Sequence, residues 1–200
     1  MVPTGIHIRD ARLQLIDAAE RILLSDGPSA LTGRALTSEA GVAKGVLHRH
    51  FDGFDDFLVE VVDRRAARID EQARALLASA GTSAVSDTLI DALVELFDRA
   101  VVSIIAIVTF QDGLRRRLLD AGASGIPLLS EACAMFAGYL GAERELGRIA
   151  ADADVDALGI AVVGAGHLLF ADTMAGPPSR ERVARVVDAI IADVVQRRLL

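Results

Sequence analysis

Three glycine-containing stops divide the first 53 residues of the chain into short segments with helical patterning. Apolar residues in the first segment recur at the three- and four-residue spacing of an amphipathic helix, and the stops combine glycine with residues that end helices. The segments are 10–25, 33–40 and about 43–50, and the stops are Asp26-Gly27-Pro28, Gly41 and Asp52-Gly53. The pattern predicts a compact three-helix unit at the N-terminus.

The rest of the chain also predicts helices. Its composition is 52% hydrophobic but only 4% aromatic, which favours helices packed through aliphatic residues over aromatic-rich sheets. The predicted helices lie near 54–80, 84–102, 104–120 with a break around 111–113, 126–145, 154–174 and 180–199. We therefore expect an all-α protein with two domains, 1–52 and 53–200.

The charge is distributed unevenly between these two parts. The net charge is −7. Residues 1–51 hold six Arg and Lys against five Asp and Glu, a balance of +1, whereas residues 52–200 hold 15 against 23, a balance of −8. The N-terminal unit is thus the only plausible place for a phosphate-rich partner.

Several function classes find little support. Cys133 has no partner for a disulfide, and the N-terminus lacks the apolar run of a signal peptide, so we expect a cytoplasmic protein. Residues 155–170 are too short and too polar for a membrane span. No glycine-rich phosphate loop follows a strand, and His48 and His50 point in different directions, so we expect no enzyme, cofactor or metal site.

The third helix has two chemically different faces. With Lys44 at zero on a helical wheel of about 100° per residue, His48 falls near 40° and Arg49 near 140°, while Leu47 and Phe51 fall near 300° and 340°. A helix that reads the major groove needs this arrangement, with an apolar anchor on one side and donors on the other. Short basic amphipathic helices are also common on ordinary surfaces. Its position as the third helix of a trihelical unit favours the DNA-reading interpretation.

Residues 10–60 resemble the DNA-binding domain of TetR-family transcriptional regulators. The matching residues are Ile16-Asp17-Ala18-Ala19, Gly27, Leu36, Ala40-Gly41-Val42, Lys44-Gly45, Leu47, Arg49-His50-Phe51 and Phe57-Leu58. The resemblance implies a homodimer that binds a palindromic double-stranded operator through its two third helices. It also implies a C-terminal domain that senses a small molecule.

The candidate DNA contacts follow from the wheel and from this resemblance. They are Arg12, Thr32, Arg34, Ala43, Lys44, Gly45, His48 and Arg49. For Arg12 and Arg34, a solvated surface charge is an equal alternative. The family usually carries hydroxyl residues at 43 and 46 and Tyr at 48, where this chain has Ala43, Val46 and His48. A larger share of the DNA interface is therefore expected from Lys44, the Gly45 backbone and Arg49. Lys44 is the only lysine in the chain.

The C-terminal helices predict a ligand pocket and a dimer face. Aromatic and polar residues in the apolar helices are candidate pocket residues, with ordinary core packing as the alternative: Phe97, Thr109, Phe110, Phe136, Tyr139, His167 and Phe170. Apolar residues of the last two helices are the candidate dimer interface, with the core of a monomer as the alternative: Leu158, Val162, Ala165, Val183, Val187, Ile190, Ile191 and Val194.

The sequence therefore predicts a ligand-responsive transcription regulator, most simply a repressor. A helical small-molecule carrier or enzyme, whose N-terminal unit only packs or binds protein, is the alternative from another class. DNA binding with a steep salt dependence separates the two hypotheses.

Overall fold

A computed structural model of the chain describes residues 8–171 and 176–195. These residues form ten α-helices and one turn of 3₁₀ helix (Pro28–Ala30), and their only β-type pairing is an isolated bridge between Ile149 and Val195. The α-helices are α1 Ile8–Ser25, α2 Gly33–Glu39, α3 Gly45–His50, α4 Phe54–Ala78, α5 Val85–Leu96, α6 Arg99–Phe110, α7 Asp112–Asp120, α8 Leu129–Glu145, α9 Val155–Ala171 and α10 Arg180–Ile191. The predicted all-α class is confirmed. Within the described ranges no helix is both long and apolar enough to cross a membrane.

The first three helices form the predicted trihelical unit. Gly27 and Gly41 have φ angles of 83° and 66°, a left-handed conformation that glycine adopts without steric cost, so both act as stops. The Thr32 hydroxyl caps α2 by accepting a hydrogen bond from the Ala35 amide at 3.2 Å. The unit packs around buried aliphatic side chains of α1 and α2, among them Leu15, Ala19 and Leu36.

Helix α4 is shared between the two halves of the molecule. Its first turns bury Phe57, Leu58 and Val61, and α4 contacts α1 as well as α5, α7 and α8 of the C-terminal half. A single helix of 25 residues thus connects the trihelical unit to the C-terminal helices.

The prediction of one helix over 84–102 is wrong. The chain forms two helices there, α5 and α6. Phe97 leaves the helical conformation with a ψ angle of 59°. The Asp98 carboxylate then caps α6 by accepting a hydrogen bond from the Val101 amide at 2.8 Å. Aspartate competes for backbone amides in this way and therefore favours helix starts. The predicted break near 111–113 is confirmed, because α6 ends at Phe110 and α7 begins at Asp112.

Helix α9 packs closely on two sides. A Cβ atom added at Gly159 would lie 2.9 Å from the Cys133 carbonyl oxygen of α8, and one added at Gly166 would lie 2.7 Å from Leu93 Cδ2 of α5. Both glycines are therefore required by close helix approach. The predicted helices 154–174 and 180–199 correspond to α9 and α10. Helix α10 ends at Ile191, so the predicted helix over 192–195 is wrong, and the predicted parts at 172–174 and 196–199 lie outside the described residues.

Candidate nucleic-acid interface and ligand cavity

Helix α3 exposes the side chains that the wheel assigns to its outer face. The exposed residues are Ala43, Lys44, Gly45, His48 and Arg49. Beneath them Leu47 and Phe51 are buried, with 4% and 3% of their surface exposed. The two faces of α3 thus separate donors from apolar anchors, as major-groove reading requires.

The apolar anchors hold α3 firmly against its neighbours. The Phe51 ring meets the Phe57 ring edge to face, with centroids 5.2 Å apart, so α4 supports the end of α3. A Cβ atom at Gly33 would lie 3.6 Å from Leu47 Cδ2, which brings the start of α2 against α3. Helices α2 and α3 therefore pack against each other as a helix-turn-helix pair.

The start of α3 is sterically open. Lys44 already has helical φ and ψ angles, and no side chain caps the helix there, as expected for a chain with Ala43 in place of a hydroxyl residue. A Cβ atom built on Gly45 would meet nothing within 4 Å. The backbone at Gly45 is accordingly accessible to a large partner such as a phosphate chain.

Two candidate contacts lie at the start of α2. Arg34 is exposed, and Thr32 is exposed although its hydroxyl oxygen caps the helix. A hydroxyl that accepts one hydrogen bond can still donate another, so the capping role of Thr32 leaves its O–H for a phosphate.

The structure pairs Arg12 with a carboxylate of α4, a contact that the sequence does not predict. Its guanidinium binds both oxygens of Glu60 on α4, with Nε 2.7 Å from Oε1, and lies over the Phe51 ring at 4.7 Å from the centroid. The hydrogen bond to Glu60 raises the pKa of Arg12. Arg12 therefore joins α1 to α4 and supports α3 from behind. The contact between Arg12 and Glu60 could not be predicted from the sequence, because residues 48 positions apart form no local pattern.

Among the described residues, the C-terminal half contains at least three clefts. The first, of about 580 Å³, lies between α4 and α5 and carries the carboxylates of Asp87, Asp91 and Glu95. Arg180 binds the first two of these carboxylates. A second cleft, of about 340 Å³, lies between α4 and α8. The third, of about 420 Å³, is here named the α5–α6 cavity and is lined by Val94, Phe97, Asp98, Arg99, Val102, Phe170, Gly176, Pro177 and Pro178.

The predicted pocket residues do not lie together. Phe97 and Phe170 line the α5–α6 cavity and stack on each other with centroids 5.6 Å apart. Thr109 is exposed and Phe110 is 85% exposed at the end of α6, and neither lines any of the three clefts described above. The α6 register turns both residues outward, which the continuous apolar run around them concealed.

The other three pocket candidates lie deeper. Phe136 is fully buried core, and Tyr139, also fully buried, borders the α4–α8 cleft. Burial raises the pKa of the Tyr139 hydroxyl. His167 is half-buried beside Phe97, with ring centroids 6.1 Å apart, and burial lowers its pKa. Among the described residues, no group of three or more His, Cys, Asp and Glu is arranged to hold a metal ion.

The predicted dimer residues point largely into the protomer. Half of them are buried there and cannot contact a partner: Val162, Val183, Val187 and Ile191. The other half are partly buried: Leu158, Ala165, Ile190 and Val194. Because α9 is apolar on almost every side, its sequence does not indicate which face is internal.

A different face of α9 is exposed and apolar. It consists of residues at helical spacing, here named the α9 outer face: Ala157, Ile160, Ala161, Gly164, Leu168 and Ala171. Ile160 is 63% and Leu168 78% exposed, and a Cβ atom at Gly164 would meet nothing within 4 Å. Large apolar side chains flanking an open glycine are typical of a surface that another helix covers.

Two arginines, Arg65 and Arg99, connect the trihelical unit to the C-terminal helices. Arg65 of α4 is only 6% exposed and binds Asp98 as well as Glu20 of α1, the latter at 3.8 Å. Arg99, the first residue of α6, donates to the carbonyl oxygens of Leu24 and Ser25 at 3.1 Å and 2.6 Å. The end of α1 is thus held by the start of α6.

Comparison with known proteins agrees with this architecture. Residues 15–61 match the family model described as bacterial regulatory proteins, tetR family. No curated protein matches the chain.

Solved structures match over nearly the whole chain. A putative TetR-family transcriptional regulator from Mesorhizobium loti is 16% identical, with 96% of this chain and 100% of that chain covered and a TM-score of 0.66. The regulator FadR from Bacillus subtilis, in complex with stearoyl-CoA, is 17% identical with 90% and 97% covered and a TM-score of 0.64. SmeT, the repressor of a Stenotrophomonas maltophilia multidrug efflux pump, is 18% identical with 94% and 92% covered and a TM-score of 0.62. The resemblance that the sequence suggests is confirmed.

Proposed function

We propose that this chain is a homodimeric repressor that a small molecule releases from its operator. The chain is TetR-like in sequence over its DNA-binding segment and in fold over nearly its whole length. The observation that carries the proposal is the outer face of α3. There Lys44, His48 and Arg49 are exposed above buried anchors, inside the segment that the family model matches. We propose seven of the eight predicted DNA contacts and leave out Arg12, whose guanidinium is bound by Glu60 of α4.

The dimer is proposed to form through the α9 outer face. Pairing this face with its copy across a two-fold axis would cover Ile160 and Leu168, and the open surface at Gly164 would let the two helices approach closely. Two α3 helices held in this way would read operator half-sites about one DNA turn, roughly 34–36 Å, apart or a multiple of it.

The small-molecule step is supported by the clefts of the C-terminal half. Their volumes suit small organic molecules. The stearoyl-CoA complex of the Bacillus subtilis neighbour supports a ligand-binding role for this fold. A non-enzymatic regulator is therefore proposed over the carrier or enzyme alternative.

A salt-dependent titration of the intergenic DNA upstream of the gene tests the function. We expect wild-type protein to bind specifically, with an observed binding constant that falls steeply as salt rises. Lys44→Ala should weaken binding and, if the ammonium contacts a phosphate, reduce the log–log salt slope by about 1. Fluorescence anisotropy at several salt concentrations measures both quantities.

Arg115→Ala is the matched control, because it removes one exposed positive charge from α7, far from α3 in the sequence. It should bind DNA as wild type does, and both variants should keep the wild-type circular dichroism and mass in solution. No binding by wild-type protein at micromolar concentration and low salt would favour the carrier or enzyme. Unchanged binding by Lys44→Ala would remove Lys44 from the interface.

A further inference from the structure

The α5–α6 cavity has apolar walls suited to a flat molecule. The stacked rings of Phe97 and Phe170 form one side, with an interplanar angle of 22°. Val94, Val102 and the Pro177-Pro178 pair complete the apolar lining. Aromatic and aliphatic walls around about 420 Å³ favour a planar apolar ligand of modest size.

The charge that the rim of this cavity offers to a ligand is positive. Two charged residues line it, Asp98 and Arg99. Both carboxylate oxygens of Asp98 already have partners, because one accepts a hydrogen bond from the Val101 amide and the other binds Arg65. Arg99 donates only to neutral carbonyl oxygens, and the structure records no carboxylate paired with it within the described ranges. The available charge at the rim is therefore a guanidinium, which favours an anionic group on the ligand.

The same guanidinium holds the DNA-binding unit. Its two acceptors, the Leu24 and Ser25 carbonyls, belong to the last turn of α1, where helix carbonyls lack partners within the helix. A carboxylate or sulfonate is a stronger acceptor for arginine than a neutral carbonyl. An anion in the cavity would therefore compete with α1 for Arg99.

We propose that the α5–α6 cavity binds flat, apolar anions such as aromatic carboxylates or sulfonates, whose charge draws Arg99 from the end of α1. The apolar body lies between Val94, Val102 and the stacked rings, and the anionic group binds the guanidinium. Helix α1 then loses its two hydrogen bonds from Arg99, which weakens one of the contacts that fix the position of α3 relative to the C-terminal helices. The proposed ligand class does not depend on the proposed function, whereas the release of DNA rests on it.

Two dyes with the same ring system test the ligand class. The first is 1-anilinonaphthalene-8-sulfonate, which is anionic, and the second is N-phenyl-1-naphthylamine, which lacks the sulfonate and is neutral. Both fluoresce when they enter an apolar site. We expect wild-type protein to bind the sulfonate at least about tenfold more tightly than the neutral dye, as a charge-assisted hydrogen bond provides. Equal affinity for the two dyes would overturn the proposal.

Three variants locate the site. Arg99→Gln should lose about tenfold in affinity for the sulfonate and keep its affinity for the neutral dye. Val94→Trp should lose both dyes, because Val94 is 45% exposed at the lining and a larger side chain there fills the cavity without disturbing the core. Arg115→Gln, which removes a charge on α7, should bind both dyes as wild type does. Unchanged sulfonate affinity in Arg99→Gln, or sulfonate binding that survives in Val94→Trp, would overturn the assignment.

Operator binding in the presence of the dyes tests the coupling. The sulfonate should weaken operator binding by wild-type protein at least about tenfold and leave Val94→Trp unaffected. Arg99→Gln should bind the operator weakly without any dye, with circular dichroism confirming that it is folded. If the sulfonate binds at Arg99 and operator affinity stays constant, the coupling is refuted. If wild-type protein binds no operator, the proposed function fails while the fluorescence titrations still decide the ligand class.

Discussion

Helices α3 and α9 both present an exposed face, but the two faces are chemically opposite. On α3 the exposed residues are basic or carry at most a methyl group, and the apolar residues Leu47 and Phe51 are buried. On α9 the exposed residues Ile160 and Leu168 are as apolar as the buried Val162. The sequence therefore indicates which way α3 faces and gives no such indication for α9.

This difference reflects the partners that each face meets. Charged DNA favours a polar face, so the boundary between donors and anchors on α3 is sharp. A second copy of an apolar helix favours an apolar face, so α9 must be apolar both towards its own core and towards its partner. Helical periodicity in the sequence therefore identifies the exposed face of α3 but not that of α9.

The largest expected effect comes from filling the open glycine on the α9 outer face. Gly164→Leu should weaken dimerisation by about 100-fold, because an added side chain of this size in a close helix contact costs roughly 3 kcal/mol. The protomer itself should stay folded, since a Cβ atom there meets nothing within 4 Å. Analytical ultracentrifugation measures the dimer dissociation constant, and operator affinity should fall with it.

Gly138→Leu is the matched control on α8. Gly138 is also exposed, helical and free of Cβ contacts, and it lies outside the α9 outer face. This variant should remain dimeric. A dimeric Gly164→Leu protein would contradict the α9 contact and reopen the choice of dimer surface.

A smaller effect is expected where the two regions are joined by ion pairs. Arg65→Ala should lower the free energy of unfolding by about 2 kcal/mol, because it leaves Asp98 without the buried guanidinium that binds it. Arg68→Ala is the comparison variant: it removes an arginine that binds the same Glu20 at 3.3 Å but is 55% exposed. Its effect should stay below about 1 kcal/mol. Urea denaturation measures the free energy of unfolding of both variants. Equal decreases would show that the burial of Arg65 is unimportant.

The smallest effect is expected from pH. Burial lowers the pKa of His167 below its ordinary value of 6.5, so the unfolded chain binds the proton more readily than the folded chain. The contribution of His167 to stability is therefore present above pH 6.5 and declines as the pH falls towards the lower folded-state pKa. His167→Gln should remove this part of the dependence. Thermal unfolding of both proteins at pH 7.5 and 5.5 tests this, and parallel shifts would exclude a role for His167.

Local patterns predicted most of the fold. Helical spacing and glycine stops located the trihelical unit and the break after Phe110, because the interactions that determine them lie within a few residues. The break at Asp98 was missed, although an N-capping aspartate three residues before Val101 is a local signal. The apolar residues on both sides of it obscured that signal.

The sites were predicted less evenly. The exposed face of α3 follows from a helical wheel, since its polarity changes within one turn. Arg12, Arg65 and Arg99 act through partners 33 to 75 residues away, and no spacing rule reaches that far. The α5–α6 cavity likewise joins α5, α6 and the segment after α9, so only Phe97 and Phe170 among its residues were expected to line a pocket.

The close packing of α9 also bears on how such a protein can acquire a new effector. Gly159 touches α8, Gly166 touches α5 and Phe97, and the opposite side is proposed to touch a second copy, so hardly any position on α9 is free to vary. Val94 and Pro177, by contrast, are exposed residues at the lining of the cavity. We expect natural variation in ligand preference to accumulate at these two positions, while α9 changes slowly because each substitution there alters two contacts at once.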